Sequence, residues 1–315
     1  MAYVPAITRA TQDEVRRALS GRRRDIGETA FSLVLFLTLV VVLTVLVVLL
    51  FSVARTAIPV IRDRGSSIFS SGYSSLPQNA GIKQGLIGSI YLMVFVVVFA
   101  VPLGIGAAIY MEEYARNTRL ARFINANIRN LAGVPAIVYG ILGLAIFVVL
   151  LKPLTGPGSV EGKSLLAGGF TIALMVLPIV IITTQEALRA VPKSIREGGF
   201  GVGATRWEVI RSHVLPNAAP GILTGAVLSM ARALGETAPL IMVGAVTGFL
   251  ATSGGLFASL QQRFTALPTL IFAFVKKPEA EFQDLATVAI LVLMVMIFVV
   301  NLAAILLRNR YERKW

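Results

Sequence analysis

Long uncharged apolar stretches recur along the chain and constrain its fold more than any other feature. A helix needs about 20 residues to cross the roughly 30 Å hydrocarbon core of a bilayer. Stretches of that length lie at 30–54, 84–111, 130–151, 164–185, 212–231, 237–262 and 285–307. With 56% hydrophobic and 14% charged residues, the composition is not that of a soluble domain. We therefore expect an all-α polytopic membrane protein.

The positive charges predict how the chain is oriented in the membrane. Lys and Arg are concentrated before the first stretch, at 116–129, at 189–211 and after Leu307, and the positive-inside rule places such segments in the cytoplasm. A seventh crossing would put the basic tail outside, so we favour six transmembrane helices. The region 212–262 would then cross once and be interrupted near Gly235 and Pro239.

The same patterns divide the chain into segments. We predict a basic cytoplasmic tail at 1–29, a peripheral first transmembrane helix at 30–54, an external loop at 55–80, a core at 81–307 and a basic cytoplasmic tail at 308–315. The core begins where glycine and proline enter the second stretch, because small residues let membrane helices pack closely. For residues 1–29, a surface helix on anionic lipid and a solvated tail are equally compatible with the sequence.

A polar, glycine-punctuated segment at 186–216 separates two of the apolar stretches. Because of this position between two apolar stretches, we expect the segment, with Glu197, Gly203 and the pair Leu215-Pro216, to leave the bilayer and present a folded surface. We expect a helix near 194–199, a tight turn with positive φ at Gly203 and a second helix from Arg206. The alternative is an ordinary solvated loop between two membrane helices.

Arg232 and Glu236 stand four residues apart within an apolar region, so a helix would place them on one face. If that helix begins near Pro220, Arg232 lies about 18 Å along it, near mid-bilayer. Charges there cost about 2.5–3.5 kcal/mol each on insertion scales, so they are expected to face an interior path or a partner. An intrahelical ion pair that neutralises itself explains the spacing equally well.

The sequence gives no nucleotide or metal site of its own. The loop 156–164 departs from the P-loop pattern at Pro157 and has no preceding strand, and 199–204 lacks the βαβ context of a dinucleotide fingerprint. Cysteine is absent and there is a single histidine, which excludes thiolate sites. The basic residues flank apolar stretches, so we expect no nucleic-acid partner and no cofactor on this chain.

Several blocks of sequence together resemble the PstA-type permeases of bacterial phosphate ABC importers. The Glu197 segment is similar to the "EAA" loop of ABC importer membrane subunits, with Gly198 and Gly199 where that family usually has alanines and His213 where an aliphatic residue is usual. The resemblance covers about residues 81–310. It rests on Glu112–Ala115, Asn130–Pro135, Val138–Gly140, Glu186–Pro192, Gly203–Trp207, and Arg232 with Gly235–Pro239.

The resemblance implies a type I ABC importer permease fold with a cytoplasmic coupling helix, in the bacterial inner membrane with both termini cytoplasmic. It implies no catalysis by this chain, with ATP and Mg²⁺ on two partner ATPase subunits, a homologous PstC-type permease beside it and an external phosphate-binding protein. Inorganic phosphate would pass Arg232, Glu236 and Thr237. The ATPase would contact Arg196, Glu197, Gly203, Ala204, Arg206 and Trp207.

Two alternatives remain open from the residues. The chain could be a stand-alone secondary anion transporter or channel that uses Arg232 and Glu236 for coupling. It could also be a permease for another oxyanion.

Overall fold

The computed structural model describes residues 26–115, 118–157, 159–245 and 260–311, and all regular secondary structure in these residues is helical. Within these described ranges, five helices are long and apolar enough to cross a membrane, and a bent pair would raise the number to six. The predicted all-α membrane protein is confirmed. Contacts divide the chain into one unit at Met1–Ala54 and a second at Arg55–Trp315.

Besides two short 3₁₀ helices at Pro77–Asn79 and Val160–Gly162, the described residues form twelve helices, numbered here in chain order. They are α1 (Ile26–Arg64), α2 (Ser67–Ser70), α3 (Lys83–Tyr114), α4 (Arg119–Ala132), α5 (Ala136–Leu150), α6 (Lys152–Thr155), α7 (Leu165–Arg189), α8 (Lys193–Gly201), α9 (Arg206–Gly235), α10 (Ala238–Met242), α11 (Leu267–Val275) and α12 (Ala280–Tyr311). π-Helical turns occur within α3, α5 and α9.

Helix α1 is longer than the sequence predicted. Its Leu and Val side chains from Leu33 to Leu49 are exposed, which fits a lipid-facing helix, but it runs past the predicted end at Ala54 to Arg64. Ala57 is fully buried, and Val60 and Ile61 pack against the same hydrophobic cluster. The prediction placed the boundary at the first charge, Arg55, whereas the helix continues to Arg64 with an apolar face on the core.

Backbone and side-chain hydrogen bonds hold the connection from α1 to α3, and Arg64 makes several of them. The Arg64 guanidinium donates hydrogen bonds to the backbone carbonyls of Pro77, Gln78 and Ala80, at 3.1, 2.8 and 2.7 Å. Ile68 and Ala80 are buried beneath this connection. The segment predicted as an external loop therefore has a fixed conformation in the structure.

The segment predicted as a basic loop after residue 115 contains a helix. Thr118 caps α4, its hydroxyl accepting from the Ala121 amide at 3.2 Å, and α4 meets α5 at a bend of 103°. Pro135 accounts for the bend, because it lacks an amide hydrogen and disfavours helical geometry at the residue before it. The predicted span 130–151 therefore contains the end of α4, the bend and the whole of α5.

Helix α7 lies at the centre of the core. Ser164 caps its first turn, and most of its length is buried, including Ile172, Met175 and Val176. These residues share a hydrophobic cluster with Phe95 of α3 and Phe264. Helices α3, α5 and α9 are therefore positioned around α7.

Helix α9 begins at Arg206, where a helix was predicted, and it continues without a break into the span that was assumed to begin near Pro220. Pro216 and Pro220 lie inside the helical run, where the π-turn at Ile210–Val214 precedes them. The helix stops at Gly235, Glu236 is extended with ψ 123°, and α10 starts at Ala238. This is the interruption predicted near Gly235 and Pro239. Much of the remaining predicted segment to Gln262, like most of the tail 1–29, lies outside the described residues.

Candidate functional site

Arg232 and Glu236 meet at the end of α9. The Arg232 Nε donates to the Glu236 Oε1 at 3.1 Å, as the spacing predicted. The Arg232 side chain is 41% exposed and the Glu236 side chain 20% exposed, so the guanidinium stands in an open position with one edge tethered. Among the described residues, Glu236 is the only hydrogen-bonding partner that the structure gives to Arg232.

Thr237 joins this pair to α10. It precedes the first residue of that short helix, and its carbonyl accepts from the Ile241 amide at 3.0 Å. The side chains of Arg232, Glu236 and Thr237 are all at least partly exposed. The structure therefore brings the three predicted pathway residues together at one break in the helix.

The start of α5 packs directly against α10. A Cβ added to Gly140 would lie 2.7 Å from the Cα of Pro239 and 3.0 Å from the Cβ of Met242. Next to it, the buried Tyr139 donates from its hydroxyl to the Leu131 carbonyl at 2.8 Å. Sequence reasoning noted both blocks but missed this contact, because it joins residues that are far apart in the sequence.

The predicted coupling segment folds as two helices joined by a tight turn. Gly203 has φ +83°, and the amides of Gly203 and Ala204 donate to the carbonyls of Phe200 and Gly199 at 3.0 and 3.2 Å. Thr205 then caps α9 in a reciprocal box: its amide donates to the Glu208 carboxylate at 2.7 Å, and its hydroxyl accepts from the Glu208 amide. The positive φ predicted at Gly203 is confirmed.

Several side chains of this segment point outward. Glu197, Arg206 and Trp207 are exposed, and so are the apolar side chains of Phe200 and Val202, the latter 84% exposed. Exposed aromatic and apolar side chains beside charges are typical of protein interfaces. The segment thus offers a surface on which another protein could dock.

Arg196 points inward instead. Its Nη2 donates to the Glu113 Oε1 at 2.7 Å, and the same guanidinium donates to the carbonyls of Leu188 and Val191 at 2.8 and 2.9 Å. The donors of Arg196 are therefore used within the chain, in contrast to the outward-facing Glu197.

Arg206 and Arg232 lie in the same helix, about 39 Å apart at 1.5 Å per residue, so the coupling segment and the Arg232 site occupy opposite ends of α9.

In the loop 156–164, which has a superficial likeness to a P-loop, the lysine forms an ion pair within the loop. The Lys163 Nζ donates to the Glu161 Oε2 at 2.6 Å, and this hydrogen bond and charge lower the pKa of Glu161 below its usual value. In the described ranges, no group of three His, Asp or Glu side chains is arranged to hold a metal ion.

Comparison with known proteins agrees with this architecture. The family described as "Binding-protein-dependent transport system inner membrane component" matches residues 100–315. The phosphate transport system permease protein PstA of Yersinia pestis is 35% identical over 227 residues, 71% of this chain and 71% of that protein.

Two further matches are less complete or less similar in sequence. The probable ABC transporter permease protein YqgI of Bacillus subtilis is 33% identical over 174 residues, and the match spans 55% of this chain and 56% of that protein. A crystal structure of a bacterial alginate ABC transporter, in complex with an alginate pentasaccharide-bound periplasmic protein, has a TM-score of 0.60 at 16% identity, covering 91% of this chain and 96% of the other. The fold, the family match and the relatives together show that the chain belongs to the inner membrane components of binding-protein-dependent transport systems, and within them to the PstA-type permeases.

Proposed function

We propose that this chain is a membrane-spanning subunit of an ATP-driven phosphate importer. It forms half of the translocation pathway and couples to a separate ATPase through the Glu197 segment. Its partners are a homologous PstC-type permease, two ATPase subunits and an external phosphate-binding protein. The chain lies in the bacterial inner membrane with both termini cytoplasmic, and it binds no cofactor itself.

The position of Arg232 is the observation that carries the proposal. A guanidinium presents five N–H donors in a planar fork that suits tetrahedral oxyanions, and Glu236 occupies only the Nε edge. The remaining donors can meet phosphate oxygens at the break between α9 and α10. Because Glu236 offsets the charge of Arg232, the anion is held weakly enough to leave, as conduction requires.

The outward face of the coupling segment supports the second half of the proposal. Phe200, Val202 and Trp207 expose apolar surface beside Glu197, and a separate ATPase would cover it. Displacement of α8 would reach Arg232 along α9, since the same helix begins beside α8 and ends at the Arg232 site.

Reconstitution tests the proposal directly. Liposomes that contain this chain with its permease partner, the two ATPase subunits and the phosphate-binding protein should take up labelled phosphate when ATP is supplied to the ATPase side. Uptake by this chain alone would contradict the proposal and favour a stand-alone anion transporter. Uptake of sulfate or molybdate in place of phosphate would indicate a permease for another oxyanion.

Arg232→Ala tests the pathway in the same system. We expect it to abolish phosphate uptake while the complex still assembles, because the guanidinium that meets the anion is gone. Arg263→Ala is the matched control, since it removes another half-exposed arginine with a carboxylate neighbour, 3.9 Å away. Uptake at the unmodified rate in Arg232→Ala would leave only a structural role for the Arg232–Glu236 pair.

Glu197→Lys tests the docking surface. We expect ATP hydrolysis to become uncoupled from uptake, because the charge reversal lies on the face proposed to meet the ATPase. Glu281→Lys, on α12, is the control and should leave coupling intact. Unchanged uptake in Glu197→Lys would count against docking through this segment.

A further inference from the structure

Three consecutive residues at the end of α3 are each bound by an arginine from a different helix. Glu112 accepts from the Arg189 Nε of α7 at 2.9 Å, and Glu113 accepts from the Arg196 Nη2 of α8 at 2.7 Å. The guanidinium carbon of Arg206, the first residue of α9, lies 5.6 Å from the centroid of the Tyr114 ring, within the range of a cation–π contact. We call residues 112–114 the α3 hub.

Arg196 joins more than two elements. Besides Glu113 it binds the carbonyls of Leu188 and Val191, so one side chain links α3, α8 and the end of α7. The Arg196 and Glu113 side chains are only 20% and 10% exposed. Charges this sheltered depend on their partners, because neither can be hydrated fully if the pair separates.

The backbone at the hub is also unusual. Residues Tyr110–Tyr114 form a π-helical turn, in which the Ala115 amide donates to the Tyr110 carbonyl at 2.8 Å. Such turns are rare and occur frequently at functional sites. Here the turn ends α3 where the three arginines converge.

The hub adjoins the surface proposed to dock the ATPase. A cavity of about 410 Å³ is lined by Glu112, Glu113 and Arg196 and also by Glu197, Phe200 and Arg206. Residues of the hub and residues of the proposed docking surface therefore line the same cavity.

We infer that the α3 hub is a mechanical joint that makes the end of α3 move together with α8. Glu113 and Arg196 are positioning residues in this joint, and the Glu112–Arg189 and Tyr114–Arg206 contacts hold α7 and α9 to the same point. A displacement of α8 is thus transmitted to three transmembrane helices, not to α9 alone. The inference rests on the proposed function, because it concerns how that docking segment acts.

Pulsed electron paramagnetic resonance tests the joint without reference to the transported solute. The chain contains no cysteine, so Tyr110→Cys and Lys193→Cys, both at exposed positions, provide two unique spin-label sites on α3 and α8. In the complete transporter, the distance between the labels should stay constant when ATP binds. In a Glu113→Gln background it should change with ATP. A change in the original background, or constancy in both, would overturn the inference.

This measurement needs the ATPase subunits and nucleotide but no solute. If the transporter carries another anion, the phosphate proposal fails while the joint is still tested. If the distance between the labels changes with ATP in the original background, in a transporter that does import phosphate, the inference about the joint fails and the proposed function stands.

Covalent rescue provides the functional test. Glu113→Cys combined with Arg196→Cys removes the ion pair, and we expect solute uptake per ATP hydrolysed to fall by roughly tenfold, within the range of coupling between linked sites. A short bifunctional thiol cross-linker that rejoins the two positions should restore most of the solute uptake per ATP hydrolysed. Linked and unlinked forms are the same polypeptide, so a folding defect cannot produce the difference. Failure of the link to restore uptake would overturn the joint.

The Arg129–Glu186 pair supplies the matched control. It also joins two helices, at 3.4 Å, but both side chains are more than half exposed. Exposed pairs contribute little to structure, so Arg129→Gln should leave uptake per ATP unchanged. An equal loss in Arg129→Gln and Glu113→Gln would show a general charge effect and contradict a specific role for the hub.

Discussion

Two adjacent glycines in α8 have different surroundings and should respond differently to substitution. A Cβ on Gly198 would meet no atom within 4 Å, whereas one on Gly199 would lie 2.7 Å from the Cγ2 of Val209. Gly198→Ala should stabilise the helix by about 0.5–1 kcal/mol, because alanine loses less backbone entropy than glycine. Gly199→Ala should destabilise the segment by about 1–3 kcal/mol through overpacking. Thermal unfolding of the purified protein would measure both.

The cause assigned to the Gly199 effect can be checked separately. Val209→Ala should remove most of the penalty of Gly199→Ala, because the contacting methyl groups are gone. Equal stability of the two single glycine variants would contradict the packing explanation. It would also leave unexplained why this chain departs from alanine at both positions.

At the scale of single residues, local spacing could be predicted and long-range partners could not. The positive φ of Gly203 and the pairing of Arg232 with Glu236 follow from interactions within a few residues. Arg196 was grouped with outward-facing residues, yet its partner Glu113 lies 83 positions earlier. Nothing in the local pattern of α8 indicates that this arginine turns inward.

At the scale of elements, the contact between α5 and α10 offers a test of how the Arg232 site is held. Gly140→Ala would push α5 away from Pro239, and we expect ATP-driven uptake to fall several-fold because α10 follows Glu236 directly. Gly106→Ala is the matched control, since a Cβ at Gly106 in α3 meets no atom within 4 Å. Equal uptake in both variants would mean that α10 tolerates displacement.

Helix boundaries were the weakest part of the prediction, and the reason is physical. Uncharged apolar stretches of sequence mark the part of a helix that lies in the hydrocarbon core. The helix itself continues for as long as its backbone hydrogen bonds and an apolar face allow. The first turns of α9, the last turns of α1 and all of α4 carry charges. Each was therefore predicted as loop or left out of the span.

At the scale of the whole molecule, the orientation in the membrane remains a prediction from the positive-inside rule. Because the chain lacks cysteine, single substitutions can report it. Glu197→Cys should react with a membrane-impermeant maleimide only from the cytoplasmic side, and Ser75→Cys, which is also exposed, only from outside. Labelling intact cells and inverted vesicles would measure this. Reaction of both positions from the same side would refute the six-crossing arrangement.

The fold class could be predicted because hydrophobic length and the requirement to satisfy every backbone group in lipid leave few solutions. The sharp bend of 103° between α4 and α5 could not, because proline predicts a break without its angle. The close approach of Gly140 to Pro239 could not be predicted either, because it joins residues far apart in the sequence. The prediction therefore identified the blocks of the Arg232 site but not how they are assembled.

The three hydrogen bonds that Arg64 donates to the carbonyls of Pro77, Gln78 and Ala80 have a consequence for recognition. A surface segment fixed in this way has already lost its conformational entropy during folding. A protein that binds this segment finds it preorganised, so little of the binding free energy is lost in ordering it. Arg64→Ala should therefore slow such an encounter or weaken it even if Arg64 never touches the incoming protein.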